Sequence, residues 1–131
     1  MLELLGLQNI DWREILTSLA QLAIAYGLAF PIGWDRERGT RSAGLRTFPL
    51  VAMAACGFML TGISALEGDE AHGRVMYGII TGIGFIGGGA ILKSKGNVLG
   101  TATAASLWNT GAIGVAVAWR VYEIAIVLSI L

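Results

Sequence analysis

The residues best suited to charge chemistry form a short run, Asp35-Arg36-Glu37-Arg38, that directly follows an uncharged stretch. A further arginine, Arg46, stands just before the next uncharged stretch. Arginine side chains at such a boundary can extend into lipid headgroups, but anchoring of this kind requires no carboxylates. Carboxylates removed from water need a paired cation. The run therefore allows two interpretations, a headgroup anchor or an internal ion-pair network of Asp35, Arg38 and Arg46.

A second polar group lies in an apolar segment nearer the end of the sequence. At about 100° per residue, one helical face collects small and polar residues: Ala102, Thr103, Ser106, Asn109, Thr110, Ile113 and Gly114. The bulky Trp108, Val115 and Trp119 share the opposite face. We predict that the first face packs against the preceding apolar segment and that the second meets lipid. Asn109 is the most polar of these side chains, and it serves either as an interhelical hydrogen bond or as a ligand contact.

Glycines are concentrated in the segment that precedes this face. The spacing Gly82-x-Gly84-x-x-Gly87 matches a dinucleotide-binding fingerprint, but it lies inside an apolar stretch and no acidic residue follows at the required distance. The pairs Gly78-xxx-Gly82 and Gly84-xxx-Gly88 are instead typical of closely packed membrane helices. We therefore predict helix packing through these glycines, with Gly87 also permitting a kink. Gly82→Leu or Gly84→Leu is then expected to destabilise the protein.

Composition excludes several classes of function. The chain has 131 residues, 55% hydrophobic and 14% charged, and its formal net charge is 0. A soluble domain carries roughly 25% charged residues, and a neutral chain gives no reason to expect a nucleic-acid partner. The lone Cys56 and lone His72 form no nucleophile–base pair. We predict no enzyme activity, no cofactor and no metal site. The acidic segment Glu67–His72 is a solvated turn, a weak cation site or an acid sensor.

Long uncharged stretches must position these residues, since crossing a bilayer takes about 20 apolar residues. The stretches are Ile15–Trp34, Phe48–Leu66, Val75–Leu92 and Ala102–Trp119. A shorter fifth stretch starts at Val121 and is expected to be cut short or only partly inserted. The predicted fold is all-α, a polytopic transmembrane helical bundle with four full spans and a partial fifth. It forms one domain over residues 1–131, in which residues 1–14 are an interfacial leader.

The connections between the stretches differ in charge. Two of them are basic, through Arg36, Arg38, Arg41 and Arg46 in the first and Lys93 and Lys95 in the second. Most acidic residues fall on the other side. By the positive-inside rule the basic connections are cytoplasmic, so the N-terminus lies outside. Thr47 and Thr101 are placed to cap the second and fourth spans.

Two parts of the chain carry a family resemblance. They are Gly33-Trp34-Asp35-Arg36-Glu37-Arg38 with Ala43-Gly44-Leu45-Arg46-Thr47, and Gly82–Leu92 with Leu99–Trp108 and Ala112-Ile113-Gly114. In order, spacing and placement relative to the spans, these motifs resemble the MgtC/SapB family of bacterial inner-membrane proteins. The family pattern carries over onto Asp35, Arg36, Glu37, Arg46, Thr47, Thr101, Thr103 and Trp108.

The resemblance implies a multi-pass inner-membrane protein with a periplasmic N-terminus. Members are associated with growth under magnesium limitation, with acid stress and with survival inside macrophages, and they are treated as modulators of other membrane proteins. The expected function is therefore non-enzymatic and works through helix contacts. The expected partners are the lipid bilayer, other inner-membrane proteins and a second copy of the chain, with a dimer favoured. The alternative is a small oligomeric ion channel or transporter for Mg²⁺ or another cation.

The sequence departs from the family pattern at three points. Phe48-Pro49 replaces the usual His after Arg-Thr, and Asn109 stands where a small or apolar residue is usual. Both departures weigh against a virulence role of the kind found in pathogens. The soluble C-terminal domain of many members is expected to be absent, which would remove a regulatory ligand domain.

Overall fold

The protein is described by a computed structural model, which covers residue 1, residues 3–39 and residues 44–131. Leu2 of the leader, and Arg41 and Ala43 of the first basic connection, lie outside these described residues. Within them the α-helices are α1, Trp12–Gly39; α2, Thr47–Ala65; α3, Asp69–Gly89; α4, Thr101–Ala118; and α5, Tyr122–Ile130. A short 3-10 helix, Leu7–Asn9, precedes α1. The prediction of an all-α fold is confirmed.

A small antiparallel hairpin, which the sequence analysis did not predict, joins α3 to α4. Its strands are β1, Leu92–Ser94, and β2, Asn97–Leu99, and its register pairs Leu92 with Leu99 and Lys93 with Val98. The turn residues Lys95 and Gly96 have φ values of 48° and 81°, as a type I′ hairpin turn requires. Because helix α3 ends at Gly89, the last three residues of the predicted third span, 90–92, lie outside the helix.

The starts of α2 and α4 correct the predicted helix caps. Thr47 and Thr101 are each the first residue inside a helix, and the cap positions before them are Arg46 and Gly100. Neither cap position provides a side-chain hydrogen bond. Gly100 has a φ of 86°, and a Cβ there would overlap the carbonyl oxygen of Ala90. The tight turn into α4 therefore requires glycine at this position.

Length and apolarity together distinguish the helices that are suited to crossing a membrane from the others. Within the described part of the chain, α1 and α2 are the helices long and apolar enough to cross a membrane. The first turns of α3 contain Asp69, Glu70 and Arg74, and its many glycines add little hydropathy. Helix α4 is rich in alanine, glycine and threonine, and α5 has only 9 residues. Length and composition thus support two spans, and the predicted four full spans are not confirmed.

Helix α4 is central and contacts each of the other four helices. Its small face packs against α2, where a Cβ on Gly114 would overlap the carbonyl oxygen of Ala52. A different side of α4 meets α3, where a Cβ on Gly111 would overlap the tip of Ile83. The prediction that the small polar face packs against α3 is not confirmed, because Gly114 of that face lies against α2 and Asn109 is bonded to α5. Fully buried large side chains complete the core: Phe48, Met59, Leu107, Ile113 and Val117.

Candidate functional site

The connection between α1 and α2 is organised by Glu37. Its Oε2 accepts a hydrogen bond of 2.9 Å from the backbone N–H of Leu45. This N–H lies at the start of α2, whose first turn is closed by a bond from the Phe48 N–H to the Gly44 carbonyl. The first N–H groups of a helix have no partner inside the helix and carry partial positive charge, so a carboxylate there is favourable. Glu37 thus holds the end of α1 to the beginning of α2.

Two glycines allow the chain to approach α1 this closely. A Cβ on Gly44 would overlap the Glu37 carboxylate, and a Cβ on Gly33 would lie 3.1 Å from the Gly44 carbonyl oxygen. Gly33 and Glu37 are one helical turn apart, so they present one face of α1 to the backbone of Gly44 and Leu45. The family motif at these positions is therefore explained by a backbone contact between α1 and the start of α2.

The predicted network of Asp35, Arg38 and Arg46 is not formed. None of these three side chains makes an ion pair with another, and all three residues are exposed. The Arg38 guanidinium instead lies 5.3 Å from the centre of the Trp34 ring, in a cation–π contact. Arg36 is half-buried and takes part in an interaction of its own. Arg38 thus stacks on the ring one turn before it on α1, which leaves Asp35 without a partner among the described residues.

The polar residues of α4 satisfy their hydrogen bonds inside the bundle. The Asn109 Nδ2 donates to the Leu128 carbonyl of α5 over 3.0 Å, which confirms the predicted interhelical hydrogen bond. The hydroxyls of Thr110 and Ser106 donate to carbonyls one turn earlier, over 2.7 and 2.9 Å. Thr103 is buried and Thr101 exposed. The Asn109 bond therefore joins α4 to α5, whereas the two hydroxyls are bonded within α4 itself.

The outward face of α4 agrees with the sequence prediction in part. Trp108 is 58% exposed and Trp119 is 38% exposed, as expected for side chains that meet lipid. Val115, which was assigned to the same face, is half-buried and packs against the core.

The glycines of α3 do not pack as predicted. Gly87 alone of the five named glycines is buried, and a Cβ there would lie 3.2 Å from the carbonyl oxygen of Ala104. Gly78, Gly82, Gly84 and Gly88 have no neighbouring atom within 4 Å of an added Cβ. The spacing was interpreted as a contact within the chain, but α3 turns Ile79 and Ile83 towards the core instead.

Two apolar grooves flank α3. The first, of about 950 Å³, lies between α2 and α3, and Gly78 and Gly82 form part of its wall. The second, of about 600 Å³, lies between α3, α4 and α5 and includes Trp108 and Asn109. No ionisable side chain lines either groove. They are therefore suited to an apolar helix or an acyl chain, and they are unsuited to an ion.

Three interhelical contacts were missed from the sequence. The buried Gln21 of α1 donates from Nε2 to the carbonyls of Val117 and Ala118 over 3.0 and 3.3 Å. These carbonyls belong to the last turn of α4. The last carbonyls of a helix have too few N–H donors within the helix, so they need partners from outside it. The Ser129 hydroxyl donates to the Leu28 carbonyl. A lone glutamine in an apolar stretch was the available signal, since such a group must find a partner.

The third missed contact lies next to that of Gln21, at the end of α4. The His72 Nε2 lies 2.7 Å from the carbonyl oxygen of Leu66, and its ring meets the Trp119 ring edge to face at 5.6 Å. His72 therefore connects α3 to the ends of α2 and α4. Within the described residues no cluster of three His, Cys, Asp or Glu side chains exists that could hold a metal ion.

The helices, the largely apolar exterior and the hydrogen bonds between helices define a helical protein of the kind found in membranes. The family model for the MgtC family matches residues 22–131, and the chain belongs to the MgtC family. It is 43% identical to "Protein MgtC" of Brucella suis biovar 1 (strain 1330), over 79% of this chain and 43% of that protein. This confirms the resemblance seen in the sequence.

Other relatives carry different names. "Protein SrpB" of Synechococcus elongatus is 35% identical, over 89% of this chain and 70% of that protein. "Putative magnesium transporter YhiD" of Escherichia coli (strain K12) is 35% identical, over 90% of this chain and 57% of that protein. The chain thus spans less than half the length of the Brucella relative. No solved structure matches the chain significantly.

Proposed function

We propose that this chain is a non-enzymatic, multi-pass protein of the bacterial inner membrane that modulates other membrane proteins through helix contacts. Its physiological role is adaptation to magnesium limitation and to acid or intracellular stress. The observation that carries this proposal is the outward side of α3, where a Cβ added to Gly78, Gly82, Gly84 or Gly88 would have no neighbouring atom within 4 Å.

These four glycines lower the stability of the helix that contains them. In a helix interior, glycine is about 1 kcal/mol less favourable than alanine, and none of the four supports a contact within the chain. In lipid, small residues at four-residue spacing let another helix approach the backbone closely. Apolar grooves lie on both sides of the same helix. The proposed partners are therefore helices, either of another inner-membrane protein or of a second copy of this chain, with a dimer favoured.

The proposed topology has four spans, a partial fifth and a periplasmic N-terminus. Helices α1 and α2 meet the length and apolarity of a span. Because α3 and α4 pack against them through apolar side chains and expose apolar side chains elsewhere, we place α3 and α4 in the bilayer too. The basic connections then lie on the cytoplasmic side.

The proposal is tested with Gly82→Leu and Gly84→Leu, expressed in cells that lack the native gene. Gly27→Leu is the matched control, because Gly27 of α1 is equally open but lies outside α3. We expect all three variants to unfold near the wild-type temperature in detergent, since a Cβ at each of these positions would have no neighbouring atom within 4 Å. Growth at limiting magnesium and co-purification of partner proteins are expected to fail for the two α3 variants alone. Wild-type growth and wild-type partners with both would contradict the proposal.

A second candidate function is a small oligomeric ion channel or transporter for Mg²⁺ or another cation. It is favoured by the printed name of the YhiD relative, "Putative magnesium transporter". Coupled transporters usually place an ionisable residue near the middle of the membrane, and no such residue lines either groove. Flux of Mg²⁺, K⁺ and H⁺ into liposomes containing the purified protein distinguishes the two, because transport above empty liposomes would favour the channel.

A further inference from the structure

One end of the bundle carries basic side chains that lack acidic partners. Arg38 lies at the end of α1, Arg46 precedes α2, and Lys93 and Lys95 lie in the hairpin between α3 and α4. All four residues are exposed, and among the described residues none of them forms an ion pair. We call these four residues the basic end.

Two carboxylates nearby, Asp35 and Glu37, offset only part of the charge of the four basic residues. Glu37 already accepts the N–H of Leu45, and Asp35 makes no ion pair among the described residues. The opposite end of the bundle differs. There Arg74 is bonded to Glu70 at 2.7 Å, and the neighbouring Glu67 and Asp69 are acidic. A net cationic surface therefore exists at one end only, which indicates a partner with negative charge.

The hairpin adds apolar surface directly beside the lysines. Leu92, Val98 and Leu99 are each more than half exposed. Since paired residues in an antiparallel hairpin point to the same face, Leu92 and Leu99 share one face, while Lys93 lies with Val98 on the other. Lys95 occupies the turn. An element that exposes apolar and cationic side chains together fits the boundary between acyl chains and headgroups.

The end of α1 has the same combination of properties. The Arg38 guanidinium stacks on Trp34, and Trp34 lies 6.1 Å from Phe30 between ring centres. Tryptophan is enriched where a membrane meets water, because its ring is apolar and its N–H is polar. Stacking on this ring holds the Arg38 charge at the rim of the apolar surface. Both connections at the basic end thus place cations beside exposed apolar groups.

We propose that the basic end is a docking surface for the headgroups of anionic phospholipids. Arg38, Arg46, Lys93 and Lys95 bind headgroup phosphates, while Trp34, Leu92 and Leu99 lie among the adjoining acyl chains. A soluble anion would be attracted by the same charges but would leave the apolar side chains in water. The exposed apolar groups therefore favour a lipid over a free phosphate.

The test uses the purified full chain in nanodiscs of phosphatidylcholine into which phosphatidylglycerol is titrated. Intrinsic tryptophan fluorescence, to which Trp34 contributes with three other tryptophans, and the thermal midpoint report binding. We expect phosphatidylglycerol to change both signals, with an effect that weakens as salt rises. Each removed charge is expected to weaken binding roughly fivefold, so Lys93→Gln with Lys95→Gln weakens it roughly 25-fold. Arg38→Gln with Arg46→Gln should behave in the same way.

The matched control is Arg74→Gln with Arg120→Gln, which removes two charges from the opposite end and should retain wild-type binding. All substituted residues are exposed, and an unchanged midpoint in pure phosphatidylcholine verifies that each variant is folded. Equal responses to the two lipids would overturn the proposal. Wild-type binding by the variant with Lys93→Gln and Lys95→Gln would also overturn it. Inorganic phosphate is the remaining probe, and a response as large as that to phosphatidylglycerol would assign the surface to a soluble anion instead.

Discussion

Helices α3 and α4 both contain glycines, but they use them in opposite ways. On α4, Gly111 and Gly114 are buried, and a Cβ on either would overlap an atom of a neighbouring helix. On α3, Gly82 and Gly84 face no atom of the chain within 4 Å. Glycines in an apolar helix therefore show that close approach is possible, and they do not show where the approaching helix comes from.

The position of each helix in the bundle explains the difference. Helix α4 is surrounded by α1, α2, α3 and α5, so most of its faces must admit a neighbour at short distance. Helix α3 packs against α2 and α4, mainly through Ile79, Ile83 and Gly87. Its remaining faces lie outside the bundle. Glycines on a central helix thus serve folding, whereas glycines on a peripheral helix remain available for association.

The largest effect is expected from Gly114→Ala. The new methyl group would overlap the Ala52 carbonyl oxygen and lie 2.9 Å from both the Ala55 Cβ and the Cys56 N. Two of these are backbone atoms, so a side-chain rotation cannot relieve the overlap. Overpacking of a core costs about 1–3 kcal/mol, and we expect a matching drop in the unfolding midpoint in detergent. Gly27→Ala on α1 is the control, and a wild-type midpoint for Gly114→Ala would place α2 and α4 further apart than described.

An intermediate effect is expected from Gly111→Ala. Here the overlap is with the Cδ1 tip of the Ile83 side chain, which can rotate away. We expect a loss below that of Gly114→Ala, about 1 kcal/mol. Ile83→Val removes the obstructing methyl group, so Gly111→Ala combined with Ile83→Val should lose less than the sum of the two single changes. If the midpoint shift of the double variant equals the sum of the two single shifts, Gly111 and Ile83 are not in contact.

Local pattern was enough to predict the features that depend on composition and periodicity. The spacing of apolar residues predicts the all-α class and the exposed Trp108. An amide in an apolar helix needs a hydrogen-bond partner, which predicts the interhelical bond of Asn109. The hairpin was missed because strands of three residues carry too little alternation to stand out. Its turn residues, Lys95 and Gly96, were the available signal.

The charged motif shows where sequence reasoning stops. Asp35 and Glu37 are two residues apart on α1, and nothing local decides which of them meets the chain that returns as α2. In the structure Glu37 makes this contact, because it lies one turn after Gly33 on the face of α1 that meets the backbone of Leu45. Asp35 was predicted instead, since it is spaced to pair with Arg38 on the helix. Tertiary contact and the stacking of Arg38 on Trp34 override that local preference.

The smallest loss of stability, and the result most sensitive to the comparison, is expected when Gly78, Gly82, Gly84 and Gly88 are changed together to alanine. Each new methyl group enters open space, so the packing term that dominates Gly114→Ala is absent. Alanine is also the better helix former. The unfolding midpoint of the detergent-solubilised protein at low concentration should therefore not fall below wild type, in contrast to the loss that sequence spacing predicts for Gly82→Leu and Gly84→Leu.

Protein concentration separates the two ways in which this last expectation can fail. A midpoint that falls equally at low and high concentration would mean that α3 packs through its glycines inside the bundle, which would remove the distinction from α4. If wild type gains stability with concentration and the alanine variant does not, the glycine face joins two copies of the chain, since binding to the folded state alone raises the midpoint by mass action. The glycines of α3 would then contribute to stability only between molecules, while those of α4 contribute within one.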